Sequence, residues 1–462
     1  LDKVNFSEIP KSNVESSSKP LEDTLPPFVI NQTGSTAPGE IFIANFNNSG
    51  SAPSFLIILN NTGTAKYSHE LQYRGYDFKK QDRINYLTYY EEALHDYLIL
   101  DSLYNTIDTF YCGNGYSTDF HELRLMEDGS AWMLSYDNEY VNMSQIVPGG
   151  NPSAIVAGLI IQHIDKNKNV IFQWRSWDHF LITDATHEVL TAATIDYVHG
   201  NAIEIDNDNN IMISSRHLDE ITKINTHTGN IIWRLGGKNN QFTFTNDTLH
   251  FSHQHSIRRI ENGHIILFDN GNFHTPSFSR AIEYNLDEIN KTCTLTWEYR
   301  HTPSIYAMAM GSVQRLPNGN TFIGWGTAST TLTEVDSSGQ ILYELSLPLG
   351  QFSYRAYRYV WDDAVTSIIN PSEIVKNYAL YQNYPNPFNP VTTIKFQIPV
   401  NVNISLKIFD ITGRLVEQVA SGMYQKGTYE FKWNAEKFSS GIYFYMLQAG
   451  DVMLTHKMIL VK

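Results

Sequence analysis

A strand–turn–strand pattern recurs four times along the chain. The repeats begin at His121, Asn201, His255 and Gly311, and in each a turn residue follows eight positions later (Gly129, Asn209, Gly263 and Gly319). A second pair of apolar strands often follows, as at 220–237, 281–300 and 331–348. Four strands per repeat are typical of β-propeller blades, each of which buries its faces against its neighbours.

Two less regular units precede these repeats, one ending near Leu71 and one running from Tyr76 to Gly113. With them the count is six blades, and we expect Tyr354–Trp361 to return to the first blade and close the ring. Asn-Gly, Asp-Gly and Thr-Gly turns separate short apolar runs, and helical periodicity is scarce, so the pattern predicts an all-β chain.

Composition divides the chain into three parts. Residues 1–40 are rich in Ser, Pro and Gly, which predicts a weakly ordered segment ahead of a propeller at 41–370. After about residue 371, an Asn- and Pro-dense stretch at 381–399 leads into closely spaced strand patterns. Residues 371–462 are therefore expected to form a small Ig-like β-sandwich.

Charge and hydropathy exclude several classes of partner. The formal net charge is −15 and no run of Lys or Arg occurs, so binding to nucleic acid or to an anionic membrane is not expected. No apolar stretch reaches the ~18 residues that a membrane-spanning helix needs. The two cysteines, Cys112 and Cys293, fall in the second and fifth predicted blades, so we expect free, buried thiols and no disulfide.

The repeat register selects candidate functional residues. In a propeller, the ends of the innermost strands converge on the central channel, where rigid backbone can hold a small-molecule site. His121, Asn201 and His255 occupy equivalent positions. His199 lies two residues before Asn201 and would point to the same side of a strand, and Arg216 ends the second strand of that repeat.

Three histidines, an asparagine and an arginine can hold an anion. This set contains no carboxylate, and although three histidines can bind zinc, a guanidinium beside a cation is electrostatically unfavourable. Arginine instead offers a planar fork of donors to sulfate or phosphate oxygens. One histidine can attack the central atom of the anion, while a second protonates the leaving oxygen.

Several of these segments resemble the arylsulfate sulfotransferase family. The resemblance rests on FSHQHSIRRIENGHIILFDNGN (251–272), HGNAIEID (199–206), SSRHLDEITKINTHTGNIIWRLGG (214–237), SRAIEYNLDE (279–288) and MGSVQRLPNGNTFIGWG (310–326). It covers about 120–361. It implies transfer of a sulfuryl group from an aryl sulfate ester to a phenol, in a ping-pong course through a sulfohistidine. No nucleotide sulfate donor, cofactor or metal is implied.

The resemblance also assigns roles to single residues. His255 corresponds to the nucleophile and His121 to a second catalytic histidine. His199, Asn201 and Arg216 correspond to groups that bind the sulfuryl oxygens, and Ser312 is our candidate for a hydroxyl contact from a late blade. The chain departs from the family at Ser256, where an acidic residue is common.

The C-terminal part is similar to a second family. YPNPFNP (384–390), DITGRLV (410–416) and GIYFYMLQAGD (441–451) resemble a type IX secretion sorting domain. This implies a secreted or cell-surface protein whose partner is the type IX secretion machinery. Two other functions stay open, because a propeller serves many uses. One is a non-catalytic, cell-surface ligand-binding propeller, and the other is a metal-dependent hydrolase or lyase.

Overall fold

The computed structural model describes residues 25–47, 52–361, 378–400, 402–424, 427–450 and 452–462. These residues confirm an all-β chain of antiparallel sheets, interrupted by short 3-10 helices at Met143–Gln145, Ser176–Asp178, Ile182–Asp184 and Arg216–Leu218. The chain divides into two compact units. The larger comprises Leu1–Leu100 and Asn105–Trp361, and the smaller comprises Asp101–Tyr104 and Asp362–Lys462.

The described part of the larger unit has 27 strands. In chain order they are β1 (Val29–Gln32), β2 (Glu40–Asn47), β3 (Ser54–Leu59), β4 (Ala65–Leu71), β5 (Gly75–Lys80), β6 (Leu87–Glu91), β7 (Asp96–Leu100), β8 (Thr106–Phe110), β9 (Thr118–Leu125), β10 (Ala131–Val141), β11 (Ala154–Ile164), β12 (Val170–Arg175), β13 (Thr194–Asp196), β14 (Gly200–Ile205), β15 (Ile211–Ser215), β16 (Glu220–Ile224), β17 (Ile231–Gly236), β18 (Thr243–Thr245), β19 (His255–Arg259), β20 (Ile265–Asp269), β21 (Arg280–Asp287), β22 (Thr292–Tyr299), β23 (Ser312–Arg315), β24 (Thr321–Gly324), β25 (Leu332–Val335), β26 (Ile341–Ser346) and β27 (Gln351–Tyr359).

These strands form six sheets within the described residues. Their orders are β27-β2-β3-β4, β5-β6-β7-β8, β9-β10-β11-β12, β14-β15-β16-β17, β19-β20-β21-β22 and β23-β24-β25-β26. Three further strands extend them: β13 pairs with β11, β18 with β22, and β1 with β26. The four sequence repeats coincide with the first two strands of the last four sheets.

The first strands of the sheets form a closed ring. β5 contacts β9, β9 contacts β14, β14 contacts β19, β19 contacts β23, β23 contacts β27, and β27 contacts β5. This arrangement is propeller-like, with a channel enclosed by the inner strands. Ring closure depends on β27, which pairs with β2 from Glu40↔Tyr359 to Asn47↔Gln351. The expected return of the chain near Tyr354–Trp361 is therefore confirmed.

The N-terminal segment differs from the expectation of weak order over residues 1–40. Residues 1–24 lie outside the described part of the chain, but β1 forms a paired strand in register from Val29↔Ser346 to Gln32↔Tyr343. Its backbone satisfies polar groups along the edge of β26, which would otherwise offer an open edge for pairing. Phe28 and Ile30 also pack on the apolar cluster of the adjoining sheets.

The apolar core lies between neighbouring sheets, as blade packing requires. One cluster joins Trp132 and Leu134 of β10 to Ile203 of β14 and Ile213 of β15. Cys112 and Cys293 are both free and buried, as expected. Burial raises the pKa of the Cys112 thiol to about 12, so this side chain behaves as a small apolar group.

An ion network crosses the ring of inner strands. Arg355 of β27 contacts Asp77 of β5 at 2.6 Å and Glu122 of β9 at 3.0 Å. Lys79 of β5 bonds the same two carboxylates, and Arg258 of β19 reaches Glu122 at 2.8 Å. Burial alone would raise the pKa of Glu122, but the positive charges of Arg258, Arg355 and Lys79 hold it below its usual range.

The smaller unit is described in seven strands, β28 (Ala379–Leu380), β29 (Val391–Ile398), β30 (Val402–Asp410), β31 (Leu415–Tyr424), β32 (Gly427–Asn434), β33 (Gly441–Ala449) and β34 (Val452–Leu460). They form two sheets, β28-β29-β32 and β31-β30-β33-β34. Phe396 of β29, Leu406 of β30 and Tyr445 of β33 belong to one buried cluster, so the two sheets share a core. Among the described residues, no helix combines the length and apolar character that crossing a bilayer requires.

The ion network should make a large contribution to stability. Arg355→Met would leave the buried carboxylates of Asp77 and Glu122 with two cations instead of three, at a cost of about 3–5 kcal/mol. Calorimetry should show the transition of the larger unit about 4–7 °C lower. Arg83→Met, at an exposed arginine, is the control and should shift it by less than about 1 °C. Equal melting temperatures for the two variants would contradict this role.

Candidate active site

A pocket of about 570 Å³ opens at one end of the ring of inner strands. Three of the predicted site residues, His121, His199 and His255, line it together. The other lining residues are Phe46, Arg74, Tyr76, Asp119, Phe120, Tyr136, Asn138, Ala157, Asp196, Ala309, Met310 and Tyr354. The inner strands therefore bring together histidines that are up to 134 positions apart in the sequence.

The hydrogen bonds of His255 determine its tautomer. The Asn270 Nδ2 amide donates to the carbonyl oxygens of Ala307 at 2.8 Å and Met310 at 3.0 Å, which leaves its Oδ1 as an acceptor. His255 Nδ1 lies 2.7 Å from that Oδ1 and must therefore carry the proton. Nε2 is unprotonated, and its lone pair accepts a hydrogen bond from the Met310 N–H at 3.3 Å.

His255 is held in its neutral form. Its side chain is 2% exposed, and burial lowers its pKa well below the usual value. The nearby charge of Arg216 lowers the pKa further, because an imidazolium beside a guanidinium is unfavourable. An unprotonated Nε2 at neutral pH is what a histidine nucleophile requires.

The other two histidines each pair with a carboxylate that the sequence analysis missed. His121 Nδ1 lies 2.6 Å from Asp119 Oδ1, and His199 Nδ1 lies 2.6 Å from Asp196 Oδ2. The expectation of a site without carboxylates is therefore wrong. Each aspartate fixes its imidazole so that Nε2 is left for a ligand, and each would stabilise an imidazolium. The sequence signal that could have identified these pairs is an aspartate two or three positions before each histidine.

Arg216 lies beside the pocket rather than among its lining residues. It begins the 3-10 helix Arg216–Leu218, with Nη1 at 2.7 Å from His217 Nε2 and Nη2 at 3.2 Å from the Met308 carbonyl oxygen. Its Nε is buried and, among the described residues, has no hydrogen-bond partner. A buried donor without a partner is costly, so this N–H is suited to an anionic oxygen from a ligand.

Asn201 and Ser312 are not brought into the pocket. Asn201 Nδ2 donates to the Gln254 carbonyl oxygen at 2.8 Å, and Ser312 Oγ donates to the Ala356 carbonyl oxygen at 2.9 Å. Both residues are fully buried between inner strands. His199 has a φ of +50°, so it precedes β14 outside extended geometry, and the expected shared direction of His199 and Asn201 does not hold. The substrate-binding role of Asn201 and Ser312 stays a prediction, and this geometry does not support it.

A row of further histidines extends from His199. The ring of His217 lies 4.6 Å from that of His199, and the ring of His253 lies 5.6 Å from that of His217. Burial lowers the pKa of His217 to about 4 and that of His253 to about 2, and nearby positive or imidazole groups add to both shifts. Both side chains are therefore neutral at physiological pH.

Asp196, His199 and His217 have the composition of a metal site. One ligand atom from each of the three lies within 4.8 Å of the others. However, His217 Nδ1 lies 2.5 Å from the Asp196 carbonyl oxygen, and its Nε2 faces the Arg216 guanidinium. Both ring nitrogens are thus engaged, and a fixed positive charge adjoins the cluster, so these residues fit a metal ion poorly as they stand.

Several aromatic rings line the pocket. Phe120 lies 4.4 Å from Tyr76 and 5.7 Å from Tyr354, measured between ring centroids, and Phe46 lies 5.1 Å from Tyr76. Phe120 also stacks on the His121 ring at 4.1 Å. Such surfaces favour a flat aromatic ligand, since offset and edge-to-face contacts between rings are stabilising.

Sequence comparison identifies two families. Residues 28–358 match the sequence model of the family described as Arylsulfotransferase (ASST). Residues 382–462 match the Secretion system C-terminal sorting domain, which marks the protein as secreted or displayed at the cell surface. No curated protein sequence matches the chain.

Solved structures resemble the chain only distantly. A protein of unknown function from Bacteroides caccae has a TM-score of 0.40 at 12% identity, with 69% of this chain and 98% of that chain covered. An inactive virginiamycin B lyase from Staphylococcus aureus with quinupristin has a TM-score of 0.37 at 10% identity, with 88% and 99% covered. PorZ, a surface component of the type-IX secretion system of Porphyromonas gingivalis, has a TM-score of 0.33 at 10% identity, with 89% and 69% covered.

The tautomer of His255 can be measured directly. In protein with 15N-labelled histidine, long-range 1H–15N spectra should show His255 with Nδ1 protonated and Nε2 unprotonated at pH 6, because its pKa is depressed. Asn270→Asp should raise this pKa, since a carboxylate at 2.7 Å favours the imidazolium. A protonated Nε2 in the wild type at pH 6 would contradict the geometry.

The buried, neutral histidines should make stability depend on pH. Below about pH 6.5 the unfolded chain binds a proton at His253, whereas the folded chain does not until about pH 2. The unfolded state then binds more protons, so stability falls as pH falls. His253→Gln should reduce this slope by about 1.4 kcal/mol per pH unit between pH 5.5 and 4.5, measured by urea unfolding. Above pH 7.5 the stability difference between the two proteins should not change with pH, and equal slopes at low pH would contradict the burial of a neutral imidazole.

Proposed function

The chain belongs to the arylsulfotransferase family, and on that premise we propose that it transfers a sulfuryl group from an aryl sulfate ester to a phenol. The observation that carries the proposal is the meeting of His121, His199 and His255 in one aromatic-lined pocket. In it, His255 is neutral and presents an unprotonated Nε2. Family membership supports a sulfotransferase-type function in general, and the steps below are our proposal.

In the first half-reaction, His255 Nε2 attacks the sulfur of the aryl sulfate. The new N–S bond forms as the bond between sulfur and the aryl oxygen breaks, and the bonding electrons leave with the aryloxide. His121 donates its Nε2 proton to that oxygen, and Asp119 stabilises the imidazolium that supplies it. The products are a phenol and a sulfohistidine at His255.

In the second half-reaction, an acceptor phenol occupies the place that the first phenol leaves. Its oxygen attacks the sulfur while His121 accepts the phenolic proton, and the N–S bond breaks to return the electron pair to His255. His121 thereby regains the proton that it gave up in the first half-reaction. Because both half-reactions use one pocket, donor and acceptor compete for it, as a ping-pong course requires.

Sulfuryl oxygens carry the negative charge through both steps. Arg216 Nε is the group that we assign to them, since it is a buried donor that has no partner among the described residues and whose neighbouring nitrogens are anchored. Neutral His199 carries its proton on Nδ1 toward Asp196, so its Nε2 can donate to a sulfuryl oxygen only when the ring takes up a second proton. We do not assign such contacts to Asn201 and Ser312, whose side chains bond to backbone between strands. Phe46, Tyr76, Phe120 and Tyr354 would hold the aryl group.

The finer architecture is part of the same proposal. We regard the six sheets of the larger unit as six propeller blades and the two sheets of the smaller unit as an Ig-like sandwich, with domains near 41–370 and 371–462. The sorting domain implies that the type IX secretion machinery handles the chain. The catalytic unit would then act on phenols outside the cell.

A metal-dependent hydrolase or lyase is the second candidate. The spacing of Asp196, His199 and His217 suits a metal ion, although the present hydrogen bonds of His217 oppose one. Elemental analysis of the purified protein distinguishes the two. The sulfotransferase proposal expects full activity after chelation, whereas the metal proposal expects one bound ion per chain and loss of activity without it.

The test is the release of p-nitrophenol from p-nitrophenyl sulfate with and without added phenol. The wild type should show phenol-dependent release, and His255→Ala should lower the rate on the order of 10³-fold or more because the nucleophile is gone. His227→Ala, at an exposed turn of the adjoining β16–β17 hairpin, is the matched control and should keep wild-type activity. A wild type that is inert toward a panel of aryl sulfates would overturn the proposal in favour of a ligand-binding propeller.

A further inference from the structure

We propose that His217 is a positioning residue that holds the Arg216 guanidinium at the sulfuryl site, an inference that rests on the proposed function. The contact is direct, with Arg216 Nη1 at 2.7 Å from His217 Nε2. A guanidinium can only donate hydrogen bonds, so Nε2 must be the acceptor.

A second contact fixes the tautomer that this role requires. His217 Nδ1 lies 2.5 Å from the backbone carbonyl oxygen of Asp196, which can only accept. Nδ1 therefore carries the single proton of the neutral ring, and Nε2 has a free lone pair toward Arg216. Because burial keeps the pKa of His217 low, near 4, the ring stays an acceptor at neutral pH.

The guanidinium is anchored on two of its nitrogens and open on the third. Besides the bond to His217, Nη2 donates to the Met308 carbonyl oxygen at 3.2 Å. Nε has no hydrogen-bond partner among the described residues although it is buried. These anchors hold the guanidinium in place, so the position of the remaining N–H is fixed before substrate binds, which is the condition for electrostatic preorganisation.

Asp196 links this anchor to the rest of the site. Its carboxylate orients His199 at 2.6 Å, and its carbonyl oxygen orients His217. One residue of β13 thereby orients His199 and, through His217, the Arg216 guanidinium. If residue 217 served only in packing, the site would not need a hydrogen-bond acceptor at the position of Nε2. A positioning role does need one, and substitutions can test this difference.

Two substitutions separate the acceptor from the bulk of the side chain. His217→Gln can place an amide oxygen near the position of Nε2, whereas His217→Asn keeps a donor near Nδ1 but cannot reach Arg216. We expect His217→Asn to raise the KM for p-nitrophenyl sulfate and to lower kcat/KM about 10- to 100-fold, as loss of a hydrogen bond to a charged group does. The kcat/KM of His217→Gln should stay within about threefold of wild type. His227→Asn, which changes an exposed histidine, is the control and should keep the wild-type value.

A double-mutant cycle tests whether His217 acts through Arg216. In the Arg216→Ala background, His217→Asn should change kcat/KM by less than about twofold, because the group that it positions is gone. Equal effects of Gln and Asn, or full additivity with Arg216→Ala, would overturn the inference. If His217→Asn does not fold, as judged by circular dichroism, His217→Ala replaces it in the cycle.

Binding of inorganic sulfate separates failure of this inference from failure of the proposed function. Calorimetric titration needs no turnover, so it remains informative if the wild type transfers no sulfuryl group. Weaker sulfate binding by His217→Asn, with binding kept in His217→Gln, supports the positioning role. Equal sulfate affinity in wild type, His217→Asn and His217→Gln contradicts it.

Discussion

The buried ion network around Arg355 is the interaction on which both the ring and the pocket depend. It ties β5, β9, β19 and β27 together through Asp77, Glu122 and Arg258, and the Arg355 guanidinium also donates to the Asn201 backbone carbonyl of β14 at 2.7 Å. On three inner strands the network residue directly follows a pocket residue, as Glu122 follows His121 and Arg355 follows Tyr354. Because these network residues are bonded in the chain to pocket residues, fixing the charged layer also holds the backbone that carries the pocket.

Above that layer, the site keeps His255 neutral and holds its imidazoles in fixed orientations. Burial and the positive charge of Arg216 hold His255 in its neutral form, and Asn270 sets which nitrogen carries the proton. Asp119 and Asp196 orient His121 and His199 with Nε2 left for substrate. A neutral nucleophile and an acid–base pair then occupy one pocket with an anchored guanidinium beside it, which suits the transfer of an anionic group between two aromatic oxygens.

The sequence predicted the parts of this account that follow from repeats. The register of the four repeats located the inner strands and, with them, His121 and His255, while the return of the chain in β27 followed from the unpaired strand pattern after the last repeat. The repeats could not predict the features in which a single blade differs from the repeat pattern. The positive φ at His199 separates its direction from that of Asn201, the carboxylates of Asp119 and Asp196 lie off the repeat position, and β1 is too short to be detected by periodicity.

Trapping of the covalent intermediate tests the central claim most directly. The protein is mixed with a stoichiometric amount of p-nitrophenyl sulfate without acceptor, quenched at alkaline pH, where a sulfohistidine survives, and digested for peptide mass spectrometry. The account predicts one added SO₃ group per chain, located at His255 and lost when phenol is added before the quench. Release of p-nitrophenol without any modified histidine, or with the group on another residue, would contradict it.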